Sequence, residues 1–247
     1  MIGVREAFTA AVRLQRKYLV FGIAEMVPAV VLDVAAVYAS LANMITVINY
    51  VTFILPAIPV MYAVTEGVFF ARLAHWLRED LILHYIFELP ISTEVFTSAY
   101  ILVDCAFFIH LPLIPIYGIM YYLGVKPLDI LAIAVVATLV HFTLASIGWA
   151  LGVLIREWHT SLVITGALAA ALTVFSPITY PPSALMKVSP HAYAVMASNP
   201  LTMVVNYARA LARGEAGPHL ILAMPLAAVA TSLLSNYVVD KVGRESV

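Results

Sequence analysis

Residues 34–65 read VAAVYASLANMITVINYVTFILPAIPVMYAVT, 32 residues without a charged side chain, bounded by Asp33 and Glu66. As one α-helix, rising 1.5 Å per residue, the run would be about 48 Å long. The hydrocarbon core of a bilayer is about 30 Å thick and takes about 20 apolar residues per crossing. One span cannot hold it. The run predicts a helical hairpin with its turn near 43–49, each arm extending past the flanking charge, and so a polytopic membrane protein.

Composition agrees. The 247 residues are 63% hydrophobic and 11% charged, with a mean hydropathy of +0.99, whereas a soluble domain is about a quarter charged. A net charge of −1 and the lack of a basic tract give no reason to expect nucleic acid as a partner. The one cysteine, Cys105, excludes an internal disulfide. No cleavable signal peptide is expected, because the first apolar run follows a charged helix and contains Glu25 and Asp33.

The pattern predicts an all-α fold, a single transmembrane domain over 1–247. Val4 to Leu19 reads as an amphipathic helix, with Val4, Phe8, Ala11, Val12, Tyr18 and Leu19 at helical spacing and Arg5, Arg13, Arg16 and Lys17 opposite. Such a helix, within residues 1–20, lies in the membrane interface; the plainer reading is a charged lead-in to the first span. Six transmembrane helices follow at about Phe21–Ala42, Tyr50–Ala71, Val95–Leu123, Leu128–Ile155, Ser161–Ile178 and Leu220–Val239. Pro112 and Pro115 predict a kink in the third. Segment 72–94 is too polar to cross. With the amino terminus inside, the cytoplasmic segments hold nine Lys and Arg residues (Arg5, Arg13, Arg16, Lys17, Arg72, Arg78, Arg156, Lys241, Arg244) and the outer ones four (Lys126, Lys187, Arg209, Arg213). That bias predicts a multi-pass protein of the cell membrane with both termini cytoplasmic.

No enzyme is legible in the chain. None of the four lysines follows a glycine, so there is no P-loop to cradle a nucleotide phosphate, and neither an H-E-x-x-H nor a G-x-S-x-G pattern occurs. Ionisable residues in or at the edges of the spans include Glu25, Asp33, Glu66, Asp104, His110 and His141. A carboxylate at bilayer depth costs about 2.5–3.5 kcal/mol on insertion scales, so each must face protein, water or the interface. Glu25 and Glu66, near the cytoplasmic ends of the first two spans, are placed to snorkel or to pair with Arg72. Asp33 and Asp104 lie deeper and are the candidates for a substrate path. His110 and His141 lie in separate spans, and Asp104 and His110, six apart, are off-face on an α-helix; a metal or proton-relay site among the three competes with polar residues hydrogen-bonded within the bundle.

Two stretches resemble the type-2 permeases of ABC exporters. Arg78-Glu79-Asp80, the apolar Leu81–Phe87 and Glu88-Leu89-Pro90-Ile91-Ser92 are similar to that family's cytoplasmic coupling segment. Ser176-Pro177-Ile178-Thr179-Tyr180-Pro181, Ser183-Ala184-Leu185, Asn199-Pro200-Leu201-Thr202 and Arg209 resemble its outer loop, here 177–217. The chain departs from the family where a coupling-segment glycine is replaced by Leu and Ile, and where Ser176-Pro177 stands for Ser-Gly. The resemblance implies a permease without cofactor of its own, pairing with a second copy or a paralogue in the lipid. Separate ATPase subunits would hold the ATP and Mg.

Read by themselves, the same segments say something compatible. Leu81, Ile82, Tyr85, Ile86 and Leu89 would seat a short helix on the membrane surface, with Arg78, Glu79, Asp80, His84 and Glu88 toward a partner and Pro90 ending it. Five prolines at 177, 181, 182, 190 and 200 forbid one regular helix through the outer loop, and short helices re-entering the outer leaflet satisfy that constraint, as does a plain extracellular loop. A self-sufficient proton-coupled transporter using intramembrane Asp and His is the alternative of a different class.

Overall fold

The computed structural model describes residues 4–16, 50–79, 92–215 and 219–245. Among them there is no strand. Helix α1 covers 4–16. Then come α2 (Tyr50–Ile54), a 3₁₀ turn (Leu55–Ala57), α3 (Ile58–Phe69), α4 (Ala71–Glu79), α5 (Thr93–Asp104), a π-helical turn (Cys105–His110) and α6 (Ile114–Tyr122). The chain continues as α7 (Pro127–Leu154), α8 (Trp158–Val174), α9 (Pro182–Val188), α10 (Pro190–Ser198), α11 (Pro200–Ala212) and α12 (His219–Glu245).

Two stretches among these residues, Tyr50–His75 and Pro127–Leu154, are long and apolar enough to cross a membrane; Glu94–His110 and Ile114–Tyr122, bent by 56°, make a third if they act as one. The bend falls where Pro112 and Pro115 predict it. Pro115 sits in the first turn of α6, where its missing N–H costs nothing. The second expected span runs on past Ala71 to His75. The fifth stops at Val174 rather than Ile178, because Pro177 cannot donate to a helix and disfavours helical backbone at Ser176. The expected span over 21–42, its turn at 43–49 and most of the coupling segment (80–91) lie outside the described residues.

Proline and short polar side chains punctuate the rest. Pro127, Pro182, Pro190 and Pro200 each open a helix. Ser92, Glu157, Ser189 and Asn199 cap α5, α8, α10 and α11 by accepting hydrogen bonds from first-turn amides. Hydrogen bonds from Thr160 hold the exposed Glu157 carboxyl below its ordinary range, so this cap is present in its charged form and is lost only as acid protonates it.

α7 is the central post, with α12, α3, α4, α11 and α5 packed around it. Its contact with α3 and α4 is backbone against backbone. A Cβ placed on Gly148 would fall 2.7 Å from the Gly67 carbonyl oxygen and 2.8 Å from that of Val68. On Gly152 it would fall 2.5 Å from the Ala71 oxygen and 2.7 Å from the Ala74 Cβ. Gly148 and Gly152 are four apart, and so are Gly67 and Ala71. Small residues at that spacing let two helices approach where lipid offers no hydrophobic force to press them together.

In α1, Ala7, Ala11 and Gln15 are buried against the bundle, while Val4, Phe8 and Val12, beside them on the same apolar arc, are exposed, as are Arg5, Arg13 and Arg16 on the other side. Gln15 Nε2 donates to the Tyr100 carbonyl at 3.2 Å, tying α1 to α5.

Candidate functional site

Two polar constellations stand out in this apolar molecule. The first is a seam joining α5, the π turn, α6 and α7. Thr138 donates its hydroxyl proton to the Ala134 carbonyl at 2.9 Å, one turn back on α7. With that proton committed, the 2.8 Å contact between Thr138 Oγ1 and His110 Nε2 must be an Nε2–H donating to the threonine oxygen. In the neutral ring Nδ1 is then the acceptor, and the Tyr117 hydroxyl, 3.0 Å away, donates to it. A neutral imidazole at His110 thus has both ring nitrogens satisfied. Cys105 Sγ lies 3.5 Å from the same Nε2.

The π turn makes this possible. On an α-helix, at 3.6 residues per turn, Cys105 and His110 would point about 140° apart. A π turn widens the helix to i→i+5 bonding, which brings residues five apart onto one side, and the Leu111 amide bonds to the Ala106 carbonyl in that pattern. Asp104, immediately before the turn, does not meet His110. It meets His141 of α7, with Oδ2 3.1 Å from Nε2. The separation is that of an ion pair, but the direction is not that of a straight hydrogen bond, and His141 Nδ1 has no hydrogen-bond partner. His141 is fully buried and stacked edge-on to Phe70. No group of three or more His, Cys, Asp or Glu among the described residues could hold a metal ion.

The seam predicts a modest stability effect. Tyr117→Phe leaves His110 Nδ1 without its donor, and buried polar contacts of this kind in membrane bundles contribute about 0.6–1.7 kcal/mol. The variant is expected to unfold in denaturing detergent at a slightly lower midpoint than the native chain. An unchanged midpoint would remove the Tyr117–His110 bond from the account.

The second constellation ties the 175–215 region to the start of α2. Asn199, the N-cap of α11, turns its side chain both ways: Oδ1 accepts from the Leu201 amide at 2.9 Å, while Nδ2 donates to the Leu172 and Phe175 carbonyls, each at 3.0 Å. One amide therefore closes the end of α8 and opens α11. Nearly three turns further on, Arg209 is 4% exposed. Its Nε donates to the Phe53 carbonyl at 2.9 Å and its Nη2 to the Ile178 carbonyl at 2.8 Å, and the guanidinium lies 3.6 Å from the centre of the Phe53 ring. The Tyr50 hydroxyl donates to the Thr179 carbonyl at 2.8 Å beside it. No carboxylate pairs with Arg209 among the described residues, and its Nη1 is buried without a partner.

Of the site residues read from sequence, the outer-loop set is brought together. Pro177 is buried in the turn after α8, the Tyr180 hydroxyl donates to the Val174 carbonyl at 2.8 Å, Pro181 precedes α9, Pro200 opens α11, and Asn199 and Arg209 act as above. Of the two histidines read beside Asp104 in the sequence, it is His141 and not His110 that it meets. Glu66 and Arg72 do come together, at 3.9 Å. Arg78 and Glu79 fall in the last turn of α4; Asp80, His84, Tyr85, Glu88, Leu89 and Pro90 lie outside the described residues, as does Asp33. Sequence reasoning missed Thr138, Tyr117 and the Gly148/Gly152 pair. Only the last carried a signal, the small-residue spacing G-x-x-x-G. Comparisons with protein-family models, with curated proteins and with solved structures find no match to this chain.

Proposed function

We propose that this chain is the membrane subunit of an ATP-driven exporter of the type-2 ABC permease class, crossing the membrane six times and lining a pathway at the interface with a second permease. The observation that carries this reading is the 175–215 region. Two short proline-opened helices, α9 and α10, fold between α8 and α11 and are tied back by Asn199 and Arg209. They coincide with the stretch that resembles the family's outer loop. Irregular backbone of this kind is stable at membrane depth only against protein or water, which suits a cap over a pathway. Both termini are cytoplasmic in this reading, and the 72–94 segment faces the ATPase.

The coupling segment supplies the test. Reversing Glu79, Asp80 and Glu88 to lysine inverts the field of the face offered to the ATPase. Lost charge complementarity at an interface costs a few kcal/mol, enough to weaken association by about 100-fold. The triple variant is expected to insert and express normally, with ATPase binding and transport lost together, and the purified permease alone to hydrolyse no ATP. Transport by the variant at the native rate would refute the coupling role.

The Asp104–His141 pair favours a second reading, a proton-coupled transporter that needs no ATPase. Substrate accumulation by the chain alone in vesicles under an imposed proton gradient, abolished by Asp104→Asn, would select it.

A further inference from the structure

A cavity of ≈ 420 Å³ opens where the 3₁₀ turn, the α6–α7 turn and the end of α11 meet. This is the size of a small-molecule site, about 300–1,000 Å³. Leu55, Pro56, Met120, Leu123 and Val125 give it apolar walls. Gly124, at φ +90°, supplies the left-handed backbone that lets the α6–α7 turn wrap round it.

Its polar edge is cationic. Arg213 lines the cavity, and its Nε donates to Glu215 at 2.7 Å while its two Nη groups make no bond among the described residues. Arg209, one turn earlier on α11, is buried and committed to backbone carbonyls, so Arg213 is the one charged residue of the lining. Lys126, in the α6–α7 turn, and Asp129, in the first turn of α7, stand nearby. At the end of α6, Tyr121 is 64% and Tyr122 88% exposed, the kind of aromatic pair that marks the headgroup level of a bilayer.

An apolar pocket edged at headgroup level by an arginine with two unbonded Nη groups matches a molecule with an anionic head and a hydrocarbon body. A soluble anion would leave the apolar walls against water, and a head without an anionic group would leave the Arg213 Nη groups without an acceptor. We infer that this cavity binds one anionic phospholipid, with an acyl chain between the 3₁₀ turn and the α6–α7 turn and the phosphate on Arg213. The inference rests on the membrane embedding proposed above and not on the ATPase, so it fails or stands separately from the exporter reading.

The full chain, reconstituted in phosphatidylcholine vesicles with a minor fraction of phosphatidylglycerol bearing a photoreactive acyl chain, tests it. Cross-links are expected within 120–125 and at Leu55 and Pro56. Arg213→Glu should reduce them by roughly tenfold, since each basic residue near anionic lipid contributes about a factor of that size; Arg213→Lys should keep them, and Ala212→Trp, which fills the cavity, should abolish them. Equal labelling by the same chain on phosphatidylcholine would overturn the inference, as would labelling unchanged in Arg213→Glu. Displacement by inorganic phosphate would make the site one for a soluble anion. Were Ala212→Trp to misfold, the Arg213 pair, an exposed position, decides the question alone.

Discussion

Gly148→Leu is expected to abolish folding. The new side chain would begin 2.7 Å from one carbonyl oxygen and 2.8 Å from another, both backbone atoms of the helix it packs against. Overpacking ordinarily costs about 1–3 kcal/mol because neighbouring side chains give way. Here nothing can swing aside, so α7 must separate from α3 and α4 along the contact around which the bundle is built, and the loss should exceed about 3 kcal/mol. Even alanine should be poorly tolerated, since the clash is with the Cβ itself. Gly166→Leu on α8, where nothing lies within 4 Å of the added Cβ, is the matched control. Thermal unfolding monitored by size-exclusion in mild detergent separates the two: the Gly148 variant should aggregate or elute broadly, and the Gly166 variant should behave as the native chain. A native-like elution profile for Gly148→Leu would show that the helices do not approach this closely.

Arg209→Met should be nearly as damaging, for a different reason. The substitution keeps the bulk and removes the donors, leaving the Phe53 and Ile178 carbonyls buried and unpaired. Each such group costs about 1–3 kcal/mol, and the stacking on Phe53 adds up to about 2 kcal/mol when desolvated. A loss of about 3–5 kcal/mol is expected from these terms together. Lysine at 209 keeps the charge but reaches one carbonyl at a time, because it lacks the planar fork, and should fall between the two. The consequence is local before it is global: α9 and α10 are held to α2 through this arginine, so a cysteine at Met186, already exposed on α9, should change its labelling rate before the bundle melts. Equal melting and labelling of native and Met variants would mean that Arg209 does not hold the loop.

The two effects differ in how visible they were beforehand. Arg209 could be singled out because it sits at the end of a recognisable stretch, but its partners could not. Phe53 and Ile178 offer backbone carbonyls, and a carbonyl leaves no mark in a residue string. The approach of Cys105 to His110 was hidden for a different reason. Spacing arguments assume 3.6 residues per turn, and the π turn over Cys105–His110 breaks that assumption within one helix. The prolines, by contrast, acted where they stood. Pro112 and Pro115 bent a helix, and Pro182, Pro190 and Pro200 each began one, because a missing N–H and a locked φ operate locally whatever surrounds them.

Helical class, the presence of stretches apolar enough for a bilayer and the interruption of 177–215 by its prolines were determined by the sequence alone, since each follows from local composition or from a single residue's covalent geometry. Only the tertiary structure decided which face of α1 is buried, which carbonyls receive Arg209, which histidine meets Asp104 and how closely α7 approaches α3. These depend on the relative placement of helices far apart in the chain, and in an apolar bundle one greasy face does not announce which other it will meet. The small residues at 67, 71, 148 and 152 resolve that ambiguity, because they are where two backbones can touch.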